Sequence, residues 1–456
     1  MKRLASTLAV ALLVAAAPVH MTKAQAPQPA AQGERELTLD DALALGRKRN
    51  KSVVVERARL EQAQTGLSSA WALLLPTIAA QGRYTRNYQE FNFGGAVITD
   101  PMGQPILDPM TGLAMHTPSL LIQPVNQLDG TVSFNAPLIV PAAYPGLKSV
   151  KANIAASEAN YELSETNVLY AVAQAFYAAA ISDEVLLARR SNIDVARATL
   201  ENAKTRLAAG TVTKVDVDRA ELAMLRAEQQ DREARHGRDQ AYRSLATLIQ
   251  IDGPFRAKAP TTLGAAPAEQ PLENVLKLRP EFRALELSAR AADLQATTDA
   301  WKWSPSLSGF GNARRFNYDN FHRDHYSWAV GVQLDWVIFD GGGRDAQRHL
   351  ANAQQAEAEA RAAVLADNIR DDLANGRSLV DTKRQGMFAS MRAVELAKET
   401  IDLVRTQYEA GTVTQVDLLQ AQDALVGAQE ALAQSRFDLA VADLTLRRTA
   451  GTFPPR

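Results

Sequence analysis

One seven-residue segment occurs twice. Gly210-Thr211-Val212-Thr213-Lys214-Val215-Asp216 returns about 200 residues later as Gly411-Thr412-Val413-Thr414-Gln415-Val416-Asp417. Each copy lies inside a long Ala-rich stretch. A fixed-offset repeat constrains architecture before any single residue assigns chemistry. It predicts two long helical hairpins, each turning at a Gly-Thr-Val-Thr corner. Two such long copies are too few for a solenoid, so the spacing points to duplication of a half-molecule.

The repeat extends upstream. Val132 to Ile139 lines up with Val332 to Phe339, and Trp71 to Pro76 with Trp301 to Pro305. Both halves read helix, Pro, strand, loop, strand, long helix, corner, returning helix. The first strand-to-strand connection, Gln89 to Asp129, is long and rich in Pro, Gly and Met; the second, Asn317 to Tyr326, is short. A hairpin tip tolerates such an insertion because few packed contacts depend on it. The expected organisation is a signal peptide at 1–26, a linker at 27–36, leading helices at 37–76, and a strand hairpin at 77–140. A long helical hairpin follows at 141–252, then a linker and the second leading helices at 253–305. The second strand hairpin is at 306–340, the second helical hairpin at 341–450, and a tail at 451–456.

The helices are too long for a globule. No Pro or further Gly interrupts the chain between Gly146 and Ala208, and only Gly376 and Gly386 punctuate 344–410. Each stretch fits one helix of about 65 residues, or about 100 Å. Met387, Ser390, Val394, Ala397, Ile401, Val404 and Tyr408 recur three and four apart. So do Ile193, Ala196, Leu200, Ala203 and Leu207, and Leu418, Ala421, Leu425, Ala428, Leu432, Ser435 and Leu439. That period is a coiled-coil seam, with small residues that allow close approach. Taken alone, it also fits an antiparallel coiled-coil spacer.

Met1-Lys2-Arg3, the apolar run Leu4 to Ala17 and Ala24-Gln25-Ala26 read as a secretory signal peptide. The chain has no Cys, so an exported fold must be held by packing, as suits a bacterial envelope protein. A formal charge of −1 gives no electrostatic reason to bind nucleic acid. No later run of eighteen apolar residues is evident, so no spanning helix is expected.

The strand segments alternate. Val132, Phe134, Ala136 and Leu138 oppose Thr131, Ser133 and Asn135; Val330, Val332, Leu334 and Trp336 oppose Gly331, Gln333 and Asp335. Ile78, Ala80, Gly82 and Tyr84 oppose Thr77, Gln81, Arg83 and Thr85. Segments of this length with one apolar and one polar face fit tilted membrane strands. Four strands cannot close a barrel, and lipid forbids open edges, so a barrel would have to be shared between chains.

With these residues in place the chain resembles the outer-membrane efflux proteins, the TolC-like exit ducts of Gram-negative bacteria. The resemblance rests on Leu37-Thr38-Leu39-Asp40-Asp41-Ala42-Leu43, on Phe339-Asp340-Gly341-Gly342-Gly343-Arg344, and above all on Tyr408-Glu409-Ala410-Gly411-Thr412 with Val416-Asp417-Leu418-Leu419. It covers essentially the whole mature chain. It implies a mainly α, mixed α and β fold: a homotrimer with a β-barrel of four strands per protomer and a coiled-coil tunnel in the periplasm. It implies an outer-membrane location, small-molecule efflux through a periplasmic adaptor and an inner-membrane transporter, and no cofactor or metal. Type I polypeptide secretion is the alternative duct function. A periplasmic coiled-coil adaptor is the alternative of another class.

The resemblance also assigns site residues. Tyr408 and Asp216 match a pair that ties adjacent hairpins near the corners, and Asp417 matches an acid of the pore ring. Gly210, Thr211, Val212, Gly411, Thr412 and Val413 would form the adaptor-docking tip. Two positions depart from the family pattern: Val413 stands where an Arg is expected, and Gln420 where a second Asp is expected. The local chemistry offers plainer roles. Thr213 with Asp216, and Thr414 with Asp417, read as capping boxes. The two corner glycines read as left-handed helix stops, and Tyr408 as a seam residue. Phe91, Phe93, Phe316, Tyr318, Phe321, Tyr326 and Trp328 read as an aromatic girdle or as loop packing. His322 and His325 lack a third ligand at metal spacing. No phosphate loop or nucleophile elbow is present, so the chain is not expected to be an enzyme.

Overall fold

The structure is a computed structural model that describes residues 35–260, 267–318 and 324–454. The signal peptide, Phe321 and His322 lie outside the described residues. In chain order the elements are β1 (Arg35–Leu37), α1 (Leu39–Arg49), α2 (Lys51–Ala72), β2 (Thr77–Arg86), β3 (Phe91–Phe93), β4 (Leu120–Gln123) and β5 (Asn126–Ile139). Then come α3 (Ala143–Ala208), α4 (Lys214–Ile249), β6 (Phe255–Ala257), α5 (Leu272–Leu278) and α6 (Pro280–Trp301). The last are β7 (Ser306–Phe316), β8 (Tyr326–Asp335), α7 (Gly343–Glu409) and α8 (Gln415–Thr449).

The two longest helices run 66 and 67 residues, about 100 Å each. Pro145 is tolerated in α3 because it lies in the first turn, where its missing N–H has no helical acceptor. Helices α2 and α4, 22 and 36 residues, both pack along α3; α6 and α8, 22 and 35 residues, both pack along α7. Contacts of α3 with α6 and α8 bind the two groups together. The seams carry Ala and Gly where backbones approach. A Cβ added at Gly376 would sit 3.3 Å from a methyl of Leu446. Val394, Ile401 and Tyr408 are buried as their spacing predicts, whereas Leu207, next to the corner, is 38% exposed.

Contrary to the expectation of no spanning helix, α3 contains an eighteen-residue window of mean hydropathy 1.3, long and apolar enough to span a membrane. The helix is instead packed. Leu169, Val172, Phe176 and Ala179 are fully buried with Leu37, Leu245, Ile249 and Phe255 in the largest core cluster. Segments expected to be linkers contribute to this core: β1 pairs in parallel with β6. Asp183 on α3 holds β6 in place. It accepts from Arg238 at 2.5 Å and from the Tyr242 hydroxyl at 2.7 Å, and that hydroxyl accepts the Ala257 N–H at 3.1 Å.

Four of the strands form one antiparallel sheet in the order β2-β5-β7-β8. Strand β8 stops at Asp335, so Trp336 to Phe339 lie beyond it. The long first connection is ordered by β3–β4 and by the bridges Val97 to His116, Thr99 to Pro105 and Leu107 to Ala114.

Candidate gate, docking tip and membrane face

The two corners share one local design. Gly210 and Gly411 have φ of +72° and +75°, and an added Cβ would meet nothing within 4 Å, so the backbone conformation alone selects glycine. After each glycine the next threonine turns back onto the helix. Thr211 donates its N–H to the Arg206 carbonyl at 2.9 Å, and Thr412 donates to the Gln407 carbonyl at 3.0 Å; both hydroxyls donate to the same carbonyls. The returning helices then start on capping boxes. Asp216 accepts the Thr213 N–H at 2.9 Å and its hydroxyl at 2.8 Å; Asp417 accepts those of Thr414 at 2.8 and 2.6 Å. These bonds hold both carboxyls below the ordinary 3.8, led at Asp216 by the Thr213 backbone bond and at Asp417 by the Thr414 hydroxyl.

Tyr408 is 7% exposed and packs with Ile401, Leu418 and Ala421, flanked by Val413. Among the described residues no bond joins it to Asp216, which instead keeps Thr213 and lies 3.7 Å from Arg219. The link between the corners is Arg206. Its guanidinium stacks 4.5 Å from the Tyr408 ring centre and donates to the Tyr408 carbonyl at 3.4 Å. Sequence reasoning missed Arg206; its signal was a basic residue in the last turn of α3. Further from the tip, Gln422 donates to Thr199 at 3.1 Å, and Arg189 reaches Gln230 at 2.5 Å and Glu430 at 2.6 Å. The α3–α4 hairpin is thus tied to α7–α8 at successive levels.

Gln415 departs from the two-fold design. Its counterpart Lys214 is exposed and pairs with Asp218 at 3.4 Å. Gln415 is 4% exposed, and among the described residues neither its amide nitrogen nor its amide oxygen has a partner. Between α4 and α8 the tip also carries an open groove of about 420 Å³, lined by Arg219, Arg226, Asp423 and Glu430 among others.

At the other end of the molecule, register sorts the sheet into two faces. Ala80, Val132, Ala313 and Trp328 form one row, and Ile78, Phe134, Gly311 and Val330 the next. That face is apolar, and Val330, Val332 and Leu334 are at least 65% exposed on it. The opposite face carries Gln81, Thr131, Ser133, Asn312 and Gln333. Phe316 does not join an outward girdle: it pairs with Asp129 on the polar face, is 8% exposed, and stacks on Tyr318 at 4.6 Å. Arg314 completes that cluster, donating to Asp129 at 2.5 Å and to Tyr318 at 2.7 Å. Tyr326 and Trp328 do lie on the apolar face, near the loop end. A second aromatic group, unforeseen, gathers where the sheet meets the helices: Trp71, Trp301, Trp303 and Trp336, all about half exposed. His325 places Nδ1 3.1 Å from the Tyr318 carbonyl.

The family model described as outer membrane efflux protein matches residues 42–249 and 272–452. The chain belongs to that family. It is an outer-membrane efflux protein of the TolC-like kind, and its localisation is the Gram-negative outer membrane. It is 24% identical over 319 residues to the outer membrane efflux protein BepC of Brucella suis, covering 66% of this chain and 68% of that one. It is 28% identical over 330 residues to the pyoverdine export outer membrane protein OpmQ of Pseudomonas aeruginosa, covering 68% and 66%. These alignments span about two thirds of each relative's length. The solved outer membrane protein VceC of Vibrio cholerae shares the fold, with a TM-score of 0.69 at 18% identity, covering 91% of this chain and 96% of that one.

Proposed function

We propose that three copies of this chain form the outer-membrane exit duct of a tripartite efflux system for small molecules. One observation carries the reading. The sheet has an exposed apolar face and two unpaired ten-residue edges, β2 and β8. Ten residues tilted by about 40° rise roughly 25 Å, the height of a lipid-facing band. Lipid leaves no water to satisfy an open edge, so each edge needs a partner. Strand β2 runs away from the helices and β8 runs back toward them. Laid beside a neighbour's β2, β8 is antiparallel, so repetition closes the ring without a change of pattern. Three protomers supply twelve strands, within the range of known barrels.

The helices would carry the lumen on as a water-filled tunnel of about 100 Å. Selection of cargo then rests with the inner-membrane transporter. The tip formed by Gly210, Thr211, Val212, Gly411, Thr412 and Val413, with its adjoining groove, would receive the periplasmic adaptor. Asp417 would line the narrowest point, where three carboxylates about an axis attract cations. The gate elements are Tyr408, held by Arg206, and the capped Asp216.

Purified protein is to be sized in detergent and inserted in planar bilayers. A trimer that conducts ions supports the reading; a non-conducting monomer overturns it. The chain has no Cys, so Val212→Cys and Thr412→Cys give single attachment points for cross-linking to an adaptor in the periplasm.

A further inference from the structure

Arg314 and Arg315 are consecutive in β7 and face opposite ways. Arg314 lies on the polar face, where Asp129 and Tyr318 engage it. Arg315 pairs with Gly130 on one side and Tyr326 on the other, which puts it on the apolar face at the loop end of the sheet. Arg86, the last residue of β2, lies on the same face further out, opposite Asn126. Both are exposed, and among the described residues neither meets a carboxylate. The inward arginine has its counter-charge in Asp129; among the described residues the outward pair has none.

Between the two arginines lie a pair of glycines and, one row further out, Tyr84 beside the exposed Leu128. The row of Arg315 continues through Gly130 to Gly82. An added Cβ at Gly82 would meet nothing within 4 Å, and one at Gly130 only the Arg315 carbonyl at 3.9 Å. The result is a floor two strands wide without side chains. Arg315 and Tyr326 border it on one side. Tyr84, whose hydroxyl donates to Asn126 at 2.9 Å, and Arg86 border it toward the loops. One row below lie Trp328, Ala313, Val132 and Ala80, where the apolar band begins.

We infer that this patch binds the phosphorylated headgroup of an outer-leaflet glycolipid. Guanidinium groups match phosphate oxygens in pairs, which suits Arg here better than a compact ammonium. A floor of glycine lets a sugar ring approach the backbone. Tyrosines fit the boundary between headgroup and chain, and the apolar rows below accept acyl chains. The charge, the flat floor and the band beneath occur together on one face only. The inference rests on the barrel reading above, which decides that this face meets lipid.

The test uses the full trimer in nanodiscs of phosphatidylcholine with a minor fraction of bis-phosphorylated lipid A, with retained lipid A counted by native mass spectrometry. The wild type is expected to retain lipid A. The double variant Arg86→Gln with Arg315→Gln should bind it about thirtyfold more weakly, from about 1 kcal/mol per guanidinium. Arg83→Gln, on the polar face, should match the wild type, and lipid A stripped of phosphate should bind the wild type as poorly as the double variant binds the intact lipid. Equal retention by the double variant overturns the inference. So does full displacement by millimolar inorganic phosphate, which would make the patch a free-anion site. A wild type that enters the bilayer and conducts, yet shows no preference for lipid A, overturns this inference alone. A wild type that fails to insert overturns the channel reading with it.

Discussion

The Arg206 guanidinium lies 4.5 Å from the centre of the Tyr408 ring and bonds to the same residue's carbonyl. It joins the far ends of α3 and α7, so in the proposed gate it would hold these two helices together at the tip. A cation on an aromatic face contributes about 0.5–1 kcal/mol at a partly exposed site. Arg206→Ala should therefore raise the open fraction of the resting channel about two- to fivefold. Tyr408→Phe, which keeps the ring and the carbonyl, should leave it near wild type. Single-channel recording of both variants checks this, and a large rise for Tyr408→Phe alone would move the tie to the hydroxyl.

Gln415 pulls the other way. A buried amide without partners costs about 1–3 kcal/mol relative to its hydrated state. If the tip opens as proposed, separation would return that amide to water, and Gln415 would then bias the corner toward opening. Gln415→Leu, similar in size and apolar, should lower resting conductance and raise the melting temperature. A lower melting temperature would contradict the assignment.

Asp417 has a helix-capping bond in the structure and a pore role by proposal, and the two separate experimentally. Asp417→Asn should weaken block by divalent cations if the carboxylate lines the pore. Unchanged block would leave capping as its only role.

The capping bonds also have a pH dependence. Both Asp216 and Asp417 are held below 3.8 in the folded chain. Their stabilisation is present above that value and lost as pH falls through the folded one. Protection factors for hydrogen exchange at the first turns of α4 and α8, which correct for the intrinsic slowing of exchange in acid, should be lower at pH 3 than at pH 6, and should change less in the double variant Asp216→Asn, Asp417→Asn.

Tyr242 gives the opposite sign. Burial chiefly, and then its bond to Asp183, push the phenol from 10.0 up to about 12. The neutral phenol is favoured by folding, so its contribution is complete below pH 10 and fades between pH 10 and about 12. Tyr242→Phe should remove part of the stability lost over that window, as measured by chemical denaturation at pH 8 and pH 11.

Much of this was legible in the chain because it is local. A Gly-Thr-Val-Thr corner writes its own hydrogen bonds, and a strand with one apolar face declares its alternation. The seam of Val394, Ile401 and Tyr408 follows from a period. What escaped depends on residues far apart in sequence. The β1–β6 pair joins Arg35–Leu37 to Phe255–Ala257, and three-residue strands carry too little pattern to be seen. Arg206 meets Tyr408 across about 200 positions, and nothing in either neighbourhood names the other. Aromatic content alone leaves Phe316 open to either a girdle or loop packing, because it carries no register. Only that residue's pairing with Asp129 turns it to the polar side. The unpartnered Gln415 shows the limit of the repeat: the second corner buries what the first exposes.

The largest core cluster holds Leu37, near the start of the described chain, and Phe453, near its finish, in one packed group. No shorter stretch of polypeptide can complete it. During export, Leu169 and Phe176 can pack early against Leu245, Ile249 and Phe255, but the group stays incomplete until Ala440, Leu444 and Phe453 have followed. A truncation that removes only the last turn of α8 and Phe453 would leave that incomplete state permanent, and the envelope's proteases would meet it first.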